Sequence, residues 1–286
     1  MAAGLGGPDN NAVAHDTEVG PPRHMQWLAA PEWTRNHHKL CSISSVVTAR
    51  GRLFYILDEA TAANMSVPGK WSLVARDAFS GVTLWKKPME SWAWHALRFR
   101  SGPPQVTRLL VVAGDRLYAP LALNGTISAI DAVTGKTLNT FDDTEGAEEI
   151  ILVDDILLVL KGSPVAAQAL GHVAFQGRYR EPNEKALIAV DTETGKTLWV
   201  WSDPDANPMP ETLGSDGKRA YLQIGERVAC LDLKSGEELW TYGQRGQEVE
   251  KKGAKKRAPR RKKGFGTNAL VVADDVVLCK LSGNLT

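Results

Sequence analysis

Short apolar runs alternate with polar turn residues along most of this chain. From residue 42 onward the pattern repeats as an apolar segment, a turn rich in Gly, Asp and Arg, and a second apolar segment. Short strands separated by regularly spaced turn signals are typical of an all-β fold. Two such hairpins make four antiparallel strands, which is the composition of one propeller blade. No apolar stretch reaches the ~18 residues needed to span a bilayer.

One sequence unit recurs in four recognisable copies, which begin at Ala75, Ala129, Ala189 and Ala229. The clearest reads AVDTETGKTLW, and the last copy contains one extra residue. Self-similarity of this kind predicts a repeat architecture. The interval between the aspartates of the last two copies matches a minimal blade of about 40–45 residues, so the longer intervals require insertions, at 90–105 and 162–185.

Each residue type in the unit has a structural reason. The Asp accepts hydrogen bonds from backbone N–H groups two or so residues further on, which tightens a turn, and Ser or Thr reinforces it. The Gly supplies the positive φ of a hairpin turn that ends in a bulge. The closing Trp lies on the outermost strand and is predicted to cover the gap to the neighbouring blade. The predicted structural residues are Asp77, Gly81, Trp85, Asp131, Gly135, Asp191, Gly195, Trp199, Asp232, Gly236 and Trp240.

Two further expectations concern the packing of these units. The apolar residues before each Asp are expected to alternate in direction, as strand residues do, and to fill the core between the sheets. Asn139 replaces the closing Trp in the second copy, so we expect the second blade to dock less tightly than the others.

The pattern divides the chain of 286 residues into two regions. Residues 1–41 form an irregular leader with one strand, in which Trp27 packs between blades and helps to close the ring. Residues 42–286 form the propeller. Four blades and part of a fifth can be counted, and residues 281–286 are expected to lead into a third strand of the fifth. Stopping there would leave unpaired strand edges, so we expect the propeller to be truncated at its C-terminus.

The unit A-x-D-x-x-T-G-x-x-x-W resembles the tryptophan-docking repeat of pyrroloquinoline-quinone (PQQ)-like β-propellers. The resemblance covers residues 42–286 and implies an all-β propeller, eight-bladed when complete. The superfamily includes quinoprotein alcohol dehydrogenases and scaffolds of the outer-membrane assembly lipoprotein B type, and it includes bacterial proteins known only as PQQ-binding-like repeat proteins. It implies a location in the bacterial cell envelope or periplasm. Residues 1–8 do not form a signal peptide, so a cytoplasmic location stays open.

The leading functional hypothesis is a non-catalytic binding or assembly scaffold, with a protein or small-molecule ligand on a face of the ring. The alternatives are a PQQ-dependent dehydrogenase, or the propeller module of a larger enzyme such as a methyltransferase fusion. In such dehydrogenases the resemblance implies a quinone held between a Trp and a disulfide of adjacent cysteines, with Ca²⁺ beside it. Cys41, Cys230 and Cys279 are far apart in sequence, so we expect neither cofactor, and no catalysis by this chain alone.

Several residues outside the repeat are candidates for binding. Trp92, Trp94 and His95 lie in an insertion and either line a pocket at the mouth of the ring or pack on its face. Asp58 and Glu59 end a strand and either meet cations near the axis or lie in a solvated loop.

The histidines and the charge distribution argue against two kinds of ligand. His37 and His38 are adjacent on a predicted strand and point to opposite faces, which argues against a shared metal site with His24. Residues 251–263 carry nine basic residues and no acid in a chain of net charge +1, so the rest of the chain is acidic. This distribution argues against a nucleic-acid-binding face. The basic run is either a solvated loop or a contact for anions.

Overall fold

The computed structural model describes residues 7–9, 24–29, 43–60, 69–90, 108–122, 124–162, 185–203, 208–243, 270–273, 276–281 and 284–285. Within these ranges every regular element is a β-strand. The all-β prediction is confirmed. No helix that could cross a membrane occurs in this part of the chain.

Four antiparallel sheets of four strands each form successive blades of a propeller. Blade one contains β1 (Ile43–Ala49), β2 (Arg52–Asp58), β3 (Trp71–Asp77) and β4 (Thr83–Pro88). Blade two contains β5 (Val111–Ala113), β6 (Arg116–Pro120), β7 (Ile127–Asp131) and β8 (Thr137–Phe141). Blade three contains β9 (Ala147–Val153), β10 (Ile156–Lys161), β11 (Ala186–Asp191) and β12 (Thr197–Trp201). Blade four contains β13 (Gly214–Ser215), β14 (Arg219–Ile224), β15 (Arg227–Asp232) and β16 (Glu238–Gly243).

The strands of each blade are ordered as they occur in the chain. First strands of neighbouring blades contact each other, as β1 does with β5 and β5 with β9, so they lie innermost. Fourth strands form the outer edges of the sheets. The described part of a fifth unit consists of two short hairpins, formed by β17 (Val271–Ala273) with β18 (Val276–Leu278) and β19 (Lys280–Leu281) with β20 (Asn284–Leu285).

The middle strands are buried on both faces. In β10, Leu157 to Leu160 are all fully buried, and Leu73 to Ala75 in β3 show the same pattern. The prediction that the residues before each Asp fill the core between the sheets is confirmed, and these strands show no alternation of buried and exposed positions. A continuous apolar run is the sequence pattern of a strand covered on both faces, and here the two neighbouring blades supply the cover. The outer strands keep the alternation, because in β4 only every second residue is partly buried.

The turn between the third and fourth strands has the predicted construction. In blade three, Asp191 Oδ1 accepts hydrogen bonds from the N–H of Glu193 (3.0 Å) and of Thr194 (2.7 Å) and from the Thr194 hydroxyl (2.8 Å). Gly195 has a φ of 72°, and the strand register shifts between Ala189 and Val190, as in a hairpin that closes with a bulge. The turns at Asp77, Asp131 and Asp232 repeat these hydrogen bonds.

Each blade docks onto the turn of the next blade through one side chain of its outer strand. Trp85 Nε1 donates to the carbonyl of Ala132 in blade two (3.1 Å), and its ring lies over Gly135. Trp199 makes the same contacts in blade four, with a hydrogen bond of 2.9 Å to the Leu233 carbonyl. The leader contributes Trp27, whose indole donates to the Ala78 carbonyl of blade one (2.9 Å), although residues 24–29 form no strand in the described structure.

Two predicted positions differ from this pattern. Asn139 occupies the place of the indole, with its carboxamide against Gly195. Trp240 is 40% exposed, and its ring lies 6.0 Å from that of Tyr221 in its own blade. The described strands of the fifth unit contain no Asp-x-x-Thr-Gly turn for Trp240 to cover. Lys280–Leu281 pairs antiparallel with Asn284–Leu285, as expected of a chain that leads into a third strand of the fifth unit.

Candidate functional site at the loop-bearing end of the blades

The two ends of the blades differ in the length of their connections. The turns within each first and each second hairpin lie at one end, which we call the turn end; they are short, as at 49–52 and 77–83. All other connections lie at the opposite end, which we call the loop-bearing end. These include 59–70, 89–110, 162–185, 202–213 and 244–270, parts of which lie outside the described residues. Because the strands are antiparallel, each of these long connections starts and ends at the loop-bearing end.

The base of the first loop is held by two acidic residues that follow β2. Asp58 is only 4% exposed, and its carboxylate accepts the N–H of Ala60 (3.0 Å) and of Lys70 (2.8 Å). Glu59 accepts the Ser72 hydroxyl (3.0 Å) and pairs with Lys86. Burial raises the pKa of Glu59, but the hydrogen bonds from Lys86 and Ser72 outweigh it and hold that pKa below its ordinary value. The solvated-loop alternative is wrong for Asp58, which ties the two ends of the loop together.

A second set of charged residues lies where β9, the innermost strand of blade three, begins. Glu149 is fully buried, and its carboxylate accepts the N–H of Leu213 (3.1 Å) and that of Glu211, both just before blade four. Burial raises its pKa to about 7, although the positive charge of Arg108 and the two N–H groups oppose this shift. The negative charge of Glu211 raises the same pKa further. Glu149 therefore joins blades three and four through a carboxyl group that titrates near neutral pH.

Glu148, the preceding residue, faces the opposite side of the sheet and pairs with Lys185. The Glu148 Oε2 to Lys185 Nζ distance is 2.8 Å, and the Lys185 side chain is 1% exposed. Lys185 ends the long insertion of blade three and Glu149 holds the connection into blade four. One short stretch of β9 thus fixes the bases of two loops.

The connection into blade four is itself ordered by side chains. The Thr212 hydroxyl donates to the Met209 carbonyl (2.6 Å) and accepts the N–H of Gln223 (3.0 Å). Met209 in turn donates its N–H to the Gln223 carbonyl (2.8 Å). Glu211 has a φ of 73°, which is uncommon for a residue with a β-carbon. A backbone strained in this way, beside a buried acid, is held by its surroundings.

Sequence patterns missed this cluster because no motif marks it. One signal was present. Adjacent residues on a strand face opposite ways, so two acids directly before the apolar run that starts at Ile150 place at least one acid toward the core when that strand is innermost. The repeat residues from Asp77 to Trp240 lie at the turn end or on the outer strands, away from the buried acids. Trp92, Trp94, His95, His37, His38, Cys41 and residues 251–263 lie outside the described residues.

The described residues include no group of three or more His, Cys, Asp or Glu side chains that could hold a metal ion. Cys230 and Cys279 are both buried in one apolar cluster with Leu270 and Val272, and no disulfide joins them. Burial raises the pKa of the Cys230 thiol, which disfavours the reactive thiolate.

Taken together, the four-stranded blades, the Asp-x-x-Thr-Gly turns and the indoles on the outer strands define a PQQ-like β-propeller repeat protein. The family model described as outer membrane protein assembly factor BamB matches residues 69–279. That match covers well over half of the chain, which therefore belongs to this family.

Solved structures of low sequence identity match parts of this chain. Quinohemoprotein alcohol dehydrogenase from Comamonas testosteroni is 14% identical over 73% of this chain and 36% of its own, with a TM-score of 0.49. A europium-containing methanol dehydrogenase is 13% identical over 76% of this chain and 45% of its own, with a TM-score of 0.44. BamB from Moraxella catarrhalis is 13% identical over 85% of this chain and 81% of its own, with a TM-score of 0.38. The chain thus spans less than half the length of either dehydrogenase. No curated protein matches it.

Proposed function

We propose that this chain is a non-catalytic binding or assembly scaffold that holds a partner protein at the loop-bearing end of its blades. The main support is the placement of the insertions. Among the described strands, every connection longer than a tight turn starts and ends at the loop-bearing end. Loops on a rigid scaffold are where proteins carry recognition. Here the bases of the loops are fixed by acidic side chains, the buried Asp58 in blade one, and in blade three the buried Glu149 and Glu148 with its buried partner Lys185. The turn end, in contrast, satisfies its own hydrogen bonds and offers little variation from blade to blade.

The family supports the same proposal. A family described as an outer membrane protein assembly factor implies a protein partner and a location in the bacterial cell envelope, and we propose both for this chain. The basic run 251–263 belongs to the connection between β16 and β17, which leaves and rejoins the blades at the loop-bearing end. We expect it to add electrostatic attraction to acidic or anionic groups, which added salt weakens.

Site-specific photo-crosslinking of the full chain in cells tests the scaffold. Glu90, an exposed residue at the loop-bearing end, and Val133, an exposed residue at the turn end, form a matched pair. A crosslinking amino acid at position 90 is expected to capture a discrete protein partner, whereas one at position 133 is not. Equal capture from both ends, or none from either, would contradict the proposal.

The enzyme alternative is tested separately with purified protein. Titration with PQQ and Ca²⁺, followed by absorbance and by reduction of a dye with an alcohol substrate, is expected to show neither stoichiometric binding nor turnover. Stoichiometric binding accompanied by turnover would establish a quinoprotein dehydrogenase and overturn the scaffold.

A further inference from the structure

The outer strands of the four blades share one register but differ at one exposed position. A half-exposed leucine precedes the docking residue on every blade, at Leu84, Leu138, Leu198 and Leu239. The next residue on the same face is Lys86 in blade one, Thr140 in blade two, Val200 in blade three and Thr241 in blade four. Only blade three, among these, presents two apolar residues in succession, with Leu198 46% and Val200 61% exposed.

The backbone of β12 makes this position more than an exposed side chain. β12 pairs with β11 on one side, and it is the edge of its sheet among the described residues. About half of the backbone N–H and C=O groups of an edge strand point away from its partner strand. Natural proteins protect such edges with charged residues or proline. Blade one does so with two lysines and Pro88 in β4, whereas β12 reads TLWVW, with no charge and no proline.

We propose that the outer edge of β12 binds an extended segment of a partner polypeptide, which adds to blade three as a fifth antiparallel or parallel strand. A row of backbone donors and acceptors is satisfied by another strand, and side chains at alternate positions then give specificity. Leu198 and Val200 select a segment with apolar residues at every second position. The inference rests on the proposed function as a binding scaffold and names one class of partner segment and the strand that receives it.

A second copy of the chain fits this edge poorly as the occupant. β12 has five residues, so a symmetric pairing of two β12 strands would extend over about 17 Å. The area buried by a contact of this length, one strand wide, is far smaller than the roughly 1,200 Å² or more that stable dimers bury. A flexible segment of another protein binds through a small interface of this kind without having to dock two rigid bodies.

Fluorescence anisotropy of the full chain with a short labelled peptide tests the inference. The probe alternates valine with threonine and carries a lysine at each end for solubility. Val200→Lys places at this edge the residue that blade one has there, and we expect it to weaken binding by about tenfold or more. Thr140→Lys is the matched control on blade two and is expected to leave the affinity unchanged. A peptide of the same sequence with N-methylated backbone amides is expected not to bind, because it cannot donate to the edge.

Three results would overturn the proposal. One is the absence of peptide binding to the wild-type chain, and another is an affinity that Val200→Lys and Thr140→Lys lower equally. The third is a concentration-dependent dimer in sedimentation that Val200→Lys abolishes, which would assign the edge to a second copy. The crosslinking pair at positions 90 and 133 compares the loop-bearing end with the turn end and does not involve the edge of β12. A failure of the proposed scaffold function and a failure of peptide binding at β12 are therefore distinguishable.

Discussion

Two neighbouring junctions use the same turn with different wedges. Between blades three and four, Trp199 is 8% exposed, its indole donates to the Leu233 carbonyl, and its ring lies over Gly236. Between blades two and three, the smaller Asn139 occupies the same place over Gly195. The glycine φ is 74° in one turn and 72° in the other. The turn therefore keeps the same conformation under either side chain.

The junction with the asparagine compensates in other ways. Phe141, two residues further along the same strand, is fully buried, and its Cδ1 would lie 3.9 Å from a β-carbon on Gly195 of blade three. Arg116 of blade two also pairs with Glu193 of blade three. Surface ion pairs contribute about 0–1 kcal/mol, so apolar packing at Phe141 is the larger substitute for the missing indole.

The largest loss of stability is expected when Trp199, the larger of the two side chains at these junctions, is removed. We expect Trp199→Ala to lower the free energy of unfolding by about 3–5 kcal/mol, because the cavity lies between two blades and cannot collapse easily. Urea unfolding followed by circular dichroism measures it. Trp240→Ala, at the equivalent but 40% exposed position, is the control and should cost much less. A loss below about 1 kcal/mol for Trp199→Ala would show that the indole does not hold the junction.

The same junction contains a pH-sensitive contact at its other end. Burial raises the pKa of Glu149 to about 7, so the folded protein keeps this carboxyl protonated at pH values where the unfolded chain has lost the proton. The stabilising protonation is complete below the unfolded value of about 4.5 and is lost as the pH rises towards 7. At pH 8 the ionised carboxylate should lower the free energy of unfolding by about 3 kcal/mol.

Glu149→Gln keeps an acceptor for the Leu213 N–H and removes the charge. We expect this variant to be more stable than the wild type at pH 8, and about equal to it at pH 5. Urea midpoints measured at both pH values test this, with Glu145→Gln as a control outside the interior. A variant that is less stable than the wild type at pH 8 would mean that the Glu149 carboxylate is favourably paired when ionised.

A β-carbon on the turn glycine tests the contact from the opposite side. On Gly236 it would lie 2.5 Å from Trp199 Cδ2, in addition to the strain of a φ of 74°. We expect Gly236→Ala to cost about 2 kcal/mol or more, and Gly217→Ala, whose φ is 86° but whose β-carbon meets nothing within 4 Å, about 1 kcal/mol. Gly195→Ala should fall between them, because the flexible carboxamide of Asn139 can move away. Equal losses at the three glycines would show that backbone strain alone sets the cost.

The turns and the side chains that dock on them could be predicted from the repeat, whereas the buried acidic residues could not. The Asp191 turn, its bulge and the order of the blades follow from local residue types, since the hydrogen bonds are made within a few residues. Glu149 depends on Leu213 and Arg108, which meet only when separate blades pack. The exposure of Trp240 was also missed, because its burial depends on a turn supplied by another blade rather than on its own strand.

The smallest effect is expected when Asn139, the side chain at the junction between blades two and three, is replaced. The carboxamide of Asn139 contacts the Gly195 turn, but Phe141 already fills the interior beside it. We expect Asn139→Ala to cost less than about 1 kcal/mol, the usual range for a partly exposed polar side chain. The double variant Asn139→Ala with Gly195→Ala should then be more stable than the sum of the two single losses predicts, because removing the carboxamide makes room for the new β-carbon. Urea unfolding of the four proteins gives this coupling. Strict additivity would show that Asn139 exerts no pressure on the turn.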